Sequence, residues 1–187
     1  MKRFLSTLLL RCTGWTAEGD RPAAAKYVLI AAPHTTNWDL LFFLAIAWHL
    51  EVKVAWMGKH SLFRGPFGPI MRALGGIAVR RNRSGNRVEQ MAGEFDRVDS
   101  LVLTVPPEGT RSYVAHWRSG FYHIALAARV PIVLGYLDYA QKVGGLGPEI
   151  IPTGNVREDM EQIRDFYSDV RALHPERFGE ILLKEER

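Results

Sequence analysis

His34 and Asp39, within the stretch Pro33-His34-Thr35-Thr36-Asn37-Trp38-Asp39, are the pair in this sequence best spaced for proton transfer. An apolar run at 27–32 precedes them and another at 39–50 follows. A histidine leaving a strand and a carboxylate in the first turn of the next helix can therefore fold back onto one another. If Asp39 accepts the Nδ1 proton, the tautomer is fixed and Nε2 is free to take a proton from a substrate hydroxyl. The same residues also permit a plainer arrangement, in which Asp39 only serves a helix N-terminus and His34 is a loop residue. A second stretch, Pro106-Pro107-Glu108-Gly109-Thr110-Arg111-Ser112, follows the apolar run 101–105. Arg111 offers a planar fork for phosphate, and Gly109 and Thr110 can bring backbone and hydroxyl donors near it. Alternatively, Glu108 and Arg111 pair with each other on a surface turn. In a third region, Lys59-His60 precede Gly75-Gly76-Ile77-Ala78-Val79-Arg80-Arg81. Two glycines there let a short apolar strand approach closely, and the arginines at its far end can close over an anion.

These residues need a scaffold, and the hydrophobic pattern supplies one. Apolar, β-rich runs at 27–32, 52–57, 101–105 and 130–137 have strand length and no helical period. Between them, 39–50, 88–98 and 117–129 carry helical spacing. Val156, Met160, Ile163, Phe166 or Tyr167, Val170 and Leu173 continue it, predicting a last helix capped by Asn155 that ends near His174-Pro175. Alternation of strand and helix predicts a single-domain α/β fold with a largely parallel or mixed central sheet flanked by helices. In such sheets ligands gather at the carboxyl ends of strands, where both the His34 and the Glu108 stretches fall. Gly144-Gly145-Leu146-Gly147-Pro148 reads as a tight loop.

Taken together, the three stretches resemble the glycerophospholipid acyltransferase family, relatives of bacterial lysophosphatidic acid acyltransferase. The family's histidine-x4-aspartate motif is matched by His34 and Asp39. Its proline-glutamate-glycine-threonine-arginine-serine block is matched by 107–112, its glycine-glycine-isoleucine-x-valine-x-arginine block by 75–81, and its valine-proline-isoleucine-valine stretch by 130–133. Pro106, Arg80 and Leu134 depart from the usual residues at their positions. The resemblance implies transfer of a fatty acyl group from coenzyme A or acyl carrier protein to the hydroxyl of a lysophospholipid or glycerophosphate-type acceptor. It implies His34 as general base oriented by Asp39, and acceptor phosphate held by Arg81 and Arg111, with Lys59 assisting. Glu108, Gly109 and Thr110 would shape that pocket. No bound cofactor and no metal are implied.

The 187 residues suit one domain, preceded by an amphipathic segment at 1–26, with the acyltransferase-like domain at 27–187. With 47% hydrophobic and 24% charged residues, the composition excludes a disordered chain. One cysteine, Cys12, allows no internal disulfide. The longest apolar run has nine residues, against about 20 for a membrane span. Lys2, Arg3 and Arg11 flank Phe4, Leu5, Leu8, Leu9 and Leu10, and no cleavage site follows directly. This predicts an interfacial helix with Leu5, Leu8 and Leu9 on one stripe, and hence a cytoplasmic protein held peripherally on the inner face of the cell membrane. A frayed terminal helix docked on the domain is the other possibility.

Residues 58–88 hold seven basic and no acidic side chains, which predicts an anionic partner, while 156–187 hold nine acidic and six basic. The alternative to an enzyme is a basic-patch module for nucleic acid or anionic lipid, with Trp56, Phe63 and Phe67 as stacking groups. That reading leaves the His34, Asp39 and Glu108 stretches without a use.

Overall fold

The computed structural model describes residues 2–79 and 87–186. A seven-stranded mixed sheet is built from β1 (Thr16–Glu18), β2 (Lys26–Ala32), β3 (Val54–Lys59), β4 (Gly76–Val79), β5 (Leu101–Val105), β6 (Ile132–Asp138) and β7 (Val143–Ile150). Their order is β1-β7-β6-β2-β5-β3-β4, parallel throughout except for the β6–β7 pair. The predicted single-domain α/β architecture is thus observed in its mixed form.

Both faces of the sheet are covered, which is why its central strands are apolar without alternation. In β2, Val28, Ile30 and Ala32 point to one face. There they meet α4 (Arg87–Arg97), α5 (Gly120–Ala128) and α6 (Val156–Tyr167) through Phe95, Phe121 and Met160. Tyr27 and Leu29 point to the other face, against Leu44 and Ala47 of α2 (Trp38–His49). Outside α2 lies α1 (Lys2–Thr13), which buries Leu10 in a cluster with Trp15, Phe42, Ala45, Ile46 and Leu137. Arg3 meets Glu51 at 3.5 Å, Thr7 meets His49 at 3.2 Å, and Trp15 stacks on Phe42 at 4.3 Å between centroids, so α1 and α2 run antiparallel. Residues 2–26 therefore contribute a packed helix and a strand of the same sheet as the rest of the chain.

Three predicted elements change. Residues 143–150 form β7 rather than a loop, and the glycines serve close approach. A Cβ on Gly145 would lie 2.0 Å from the Glu18 carbonyl oxygen of β1, so only glycine lets β1 pair here. The last helix stops at Tyr167 instead of continuing to Leu173, because the Arg171 carbonyl is taken by the Tyr139 N–H (2.9 Å) and the chain turns inward to bury Val170 and Ala172. Asn155 occupies the cap position without a side-chain cap bond. Asp159 instead reaches back to the Thr153 N–H at 2.8 Å. Helix α5 begins at Gly120 rather than near 117, since Trp117 pairs its backbone with the C-terminal segment at Leu182 and Leu183.

Between β3 and β4 lie a 3-10 turn (His60–Phe63) and the short α3 (Gly68–Ala73). Phe63 is buried against Trp56, whose indole N–H donates to the Leu74 carbonyl at 2.9 Å. Two of the three aromatics suited to base stacking are thereby engaged in packing, leaving Phe67 exposed.

Candidate active site

Register sets the site. Strand β2 lies between β5 and β6, with Ile30 opposite Val105 and Ala32 opposite Tyr136. The loops leaving the carboxyl ends of β2, β5 and β6 therefore emerge side by side, and they carry His34, Glu108 to Arg111, and Tyr139 respectively. A cleft of about 540 Å³ opens there. Its polar lining includes His34, Asn37, Gly109, Thr110, Arg111 and Ser112, and its apolar lining includes Leu40, Phe43, Trp56, Met57 and Leu137.

Within the β2–α2 turn, His34 Nδ1 lies 3.2 Å from Asp39 Oδ2. The same oxygen accepts the backbone N–H groups of Thr35 (2.8 Å) and Thr36 (2.9 Å). Asp39 thus faces the histidine and accepts from the backbone leading into the helix at once. Its second oxygen, Oδ1, accepts the Tyr139 hydroxyl at 2.7 Å. Burial alone would push the Asp39 carboxyl up. Hydrogen bonds from His34, Tyr139 and the Thr36 N–H outweigh it and hold the group below its ordinary value, as a carboxylate. Burial, then the bond to Asp39, push the Tyr139 hydroxyl far above its usual range, so it remains a donor. With Nδ1 turned to Asp39, the other ring nitrogen of a neutral His34 is the one left to act on a hydroxyl.

Glu108 does not line the cleft, nor does it pair with Arg111. It is buried, and its Oε1 accepts the His34 backbone N–H at 2.9 Å, while Oε2 is enclosed without a partner among the described residues. Burial pushes this carboxyl up to about 7, the His34 N–H opposing in part. Glu108 therefore supports the histidine's backbone from below instead of shaping the pocket wall. Gly109 has φ +66°, a conformation that favours glycine, and a Cβ there would lie 2.6 Å from Arg118 Nε, so the arginine side chain would have to shift. Arg111 donates to Asn37 Oδ1 at the cleft's edge. Asn37, which precedes α2 without capping it, joins the two loops instead.

Of the residues singled out from the sequence, His34, Asp39, Gly109, Thr110 and Arg111 line one cleft. Lys59 ends β3, whose neighbouring Gly58 also lines it, but its side chain lies outside the described residues, as does Arg81. Sequence reasoning missed Asn37, although it stands between His34 and Asp39, and Tyr139, which lies 100 positions from its partner and carries no local signal. Among the described residues, no group of three His, Cys, Asp or Glu side chains is placed to hold a metal ion.

A histidine–aspartate pair thus stands at the carboxyl end of the central parallel strands, with an arginine at the edge of the same cleft. The profile of the Acyltransferase family matches residues 16–134, which include every one of the motif residues, and the chain belongs to this family. It is an acyltransferase, similar to the 1-acyl-sn-glycerol-3-phosphate acyltransferases of Salmonella typhimurium and Salmonella typhi. Each is 27% identical over 186 residues, covering 90% of this chain and 75% of that protein. Human 1-acyl-sn-glycerol-3-phosphate acyltransferase beta is 29% identical over 114 residues, 58% of this chain and 40% of that protein. The fold is also that of the 1-acyl-sn-glycerophosphate (LPA) acyltransferase PlsC from Thermotoga maritima. Its crystal structure superposes with a TM-score of 0.62 at 14% identity, covering 91% of this chain and 79% of that one.

Proposed function

We propose that this acyltransferase moves a fatty acyl group from a thioester, on coenzyme A or acyl carrier protein, to the free hydroxyl of a lysophospholipid or related glycerophosphate. The observation that carries the proposal is the 3.2 Å contact between His34 Nδ1 and Asp39 Oδ2 at the wall of a cleft with both polar and apolar lining. His34 Nε2 takes the proton of the acceptor hydroxyl as its oxygen attacks the thioester carbonyl carbon. The tetrahedral intermediate collapses, the C–S bond breaks, and the imidazolium returns its proton to the departing thiolate. Asp39 holds the tautomer and stabilises the imidazolium. Attack is direct, without a covalent acyl-enzyme.

Arg111, steadied by Asn37, is assigned the acceptor phosphate, with Arg81 and Lys59 as the further cations of the same basic region. Leu40, Phe43 and Met57 suit the fatty chain. Since such an acceptor resides in a bilayer, the protein is assigned a peripheral place on the cytoplasmic face of the cell membrane, through α1.

The test is His34→Ala, with Asp39→Asn beside it, assayed on a panel of lysophospholipids with acyl-CoA. Both are expected to fold and to lose turnover, His34→Ala by roughly 10²- to 10⁴-fold, the share a positioned general base supplies. A folded His34→Ala protein that turns over at the wild-type rate refutes the mechanism.

A further inference from the structure

Asp39 uses its two oxygens differently. Oδ2 is shared among His34 Nδ1 and the N–H groups of Thr35 and Thr36, all from its own turn. Oδ1 accepts from one donor among the described residues, the Tyr139 hydroxyl, which reaches it from beyond the far end of another strand. That tyrosine is itself fixed on several sides. Its N–H donates to the Arg171 carbonyl at 2.9 Å. Asp138, just before it, caps the turn by accepting the N–H groups of Ala140 (2.8 Å) and Gln141 (3.0 Å). Its ring stands edge-on to Trp15 at 4.9 Å and to Phe42 at 6.2 Å. A hydroxyl held this firmly, 2.7 Å from a mostly buried carboxylate, fixes the plane of that carboxylate. The plane of Asp39 in turn decides where Oδ2 stands relative to the imidazole.

We propose that Tyr139, which lies beyond the residues matched by the family profile, is a positioning residue for the reaction, orienting Asp39 so that Asp39 can orient His34. This rests on the assignment of His34 as base. Two effects follow from removing the hydroxyl. The carboxylate gains a rotation that takes Oδ2 out of line, which lowers turnover without touching either substrate. A carboxylate with one donor fewer also attracts the imidazolium more strongly, so the histidine gives up its proton less readily. The charged or titratable groups facing the pair from neighbouring elements among the described residues are Glu108 through the His34 backbone, Arg111 through Asn37, Arg177 through the Thr35 carbonyl, and His174, whose backbone N–H donates to the Thr35 hydroxyl. None of these contacts changes when Tyr139 loses only its oxygen.

The experiment compares wild type, Tyr139→Phe, Tyr139→Leu and His34→Ala in the full chain, measuring kcat, KM for donor and acceptor, thermal midpoint, and kcat from pH 5 to 9. Tyr139→Phe is expected to lower kcat about tenfold, the size of one charge-assisted hydrogen bond, with both KM values unchanged. The acid limb of its kcat–pH profile should move to higher pH. Tyr139→Leu, which also loses ring packing, should show the same limb displacement together with a lower thermal midpoint. If His34→Ala is inactive while Tyr139→Phe keeps the wild-type kcat and acid limb, Tyr139 is packing only and the inference is overturned. A lowered kcat in Tyr139→Phe with an unmoved acid limb and a lowered thermal midpoint overturns it equally. If His34→Ala itself retains full activity, it is the assignment of the base that fails, an outcome separate from both.

Discussion

Glu108 is buried beneath the backbone of His34, and burial outweighs the backbone donors that its carboxyl meets there. Oε1 has the His34 N–H, Oε2 has no partner among the described residues, and burial pushes the group up from the ordinary 4.5 to about 7. The folded chain therefore keeps this proton across a window, from 4.5 to about 7, in which the unfolded chain has lost it. Where the folded state binds more protons, stability falls as pH rises, here by about 1.4 kcal/mol per pH unit across that window. Replacing Glu108 with Gln keeps an acceptor for the His34 N–H and abolishes the titration. Urea midpoints between pH 5 and 8 should show the slope in wild type and its loss in Glu108→Gln; identical slopes would remove Glu108 as its source. At this scale the sequence was legible where partners are local. His34 and Asp39 meet because one turn joins them, and that geometry follows from spacing. The inward aim of Glu108 was not legible, since a glutamate followed by glycine reads equally well as an exposed turn.

Elements were legible to the degree that their hydrophobic pattern faces one neighbour. Strand β5 appears at the predicted residues, and β2 and α2 within one residue of them, because each is apolar for most of its length. Strand β7 was hidden because its glycines answer to β1 and to the helices on either side, contacts that composition does not encode. The start of α6 shows the same limit. Asn155 is the residue type that caps helices, yet buried Asp159 does the work, accepting from the Thr153 N–H, the Thr153 hydroxyl at 3.1 Å and the Tyr122 hydroxyl at 2.7 Å. Removing the carboxylate strands a fully buried tyrosine hydroxyl and a backbone donor together. Asp159→Ala should therefore destabilise the fold by about 2–3 kcal/mol, whereas Asn155→Ala, which removes no side-chain cap bond, should change it by less than about 0.5 kcal/mol. Chemical denaturation of the two variants decides it, and equal effects would refute the assignment.

On the scale of the whole molecule, α1 divides its side chains between protein and surroundings. Leu10 is in the core and Leu9 half-buried, while Phe4, Leu5 and Leu8 are 73%, 52% and 51% exposed. The outward stripe is therefore Phe4, Leu5 and Leu8, displaced from the predicted one because Leu9 and Leu10 dock on α2. No helix among the described residues is long and apolar enough to cross a membrane. Serine at Phe4, Leu5 and Leu8 together should leave the fold intact and weaken binding to anionic vesicles by roughly a hundredfold, at about 1 kcal/mol for each partly buried side chain. Co-sedimentation at low and high salt measures this, and unchanged binding would move the contact elsewhere. Deleting the whole helix is a poorer probe, since it also uncovers Phe42 and Ile46.

The three-residue strand β1 has a consequence outside catalysis. Strand β7 runs for eight residues, is rich in glycine and borders the sheet, the kind of rim on which a second chain could polymerise. Its first half is occupied by β1, which pairs with Val143, Gly144 and Gly145. Its second half carries exposed Pro148, which has no N–H to offer, and exposed Glu149, which brings charge to the rim. Between them, the short strand and these two residues leave little of β7 as a template for another chain.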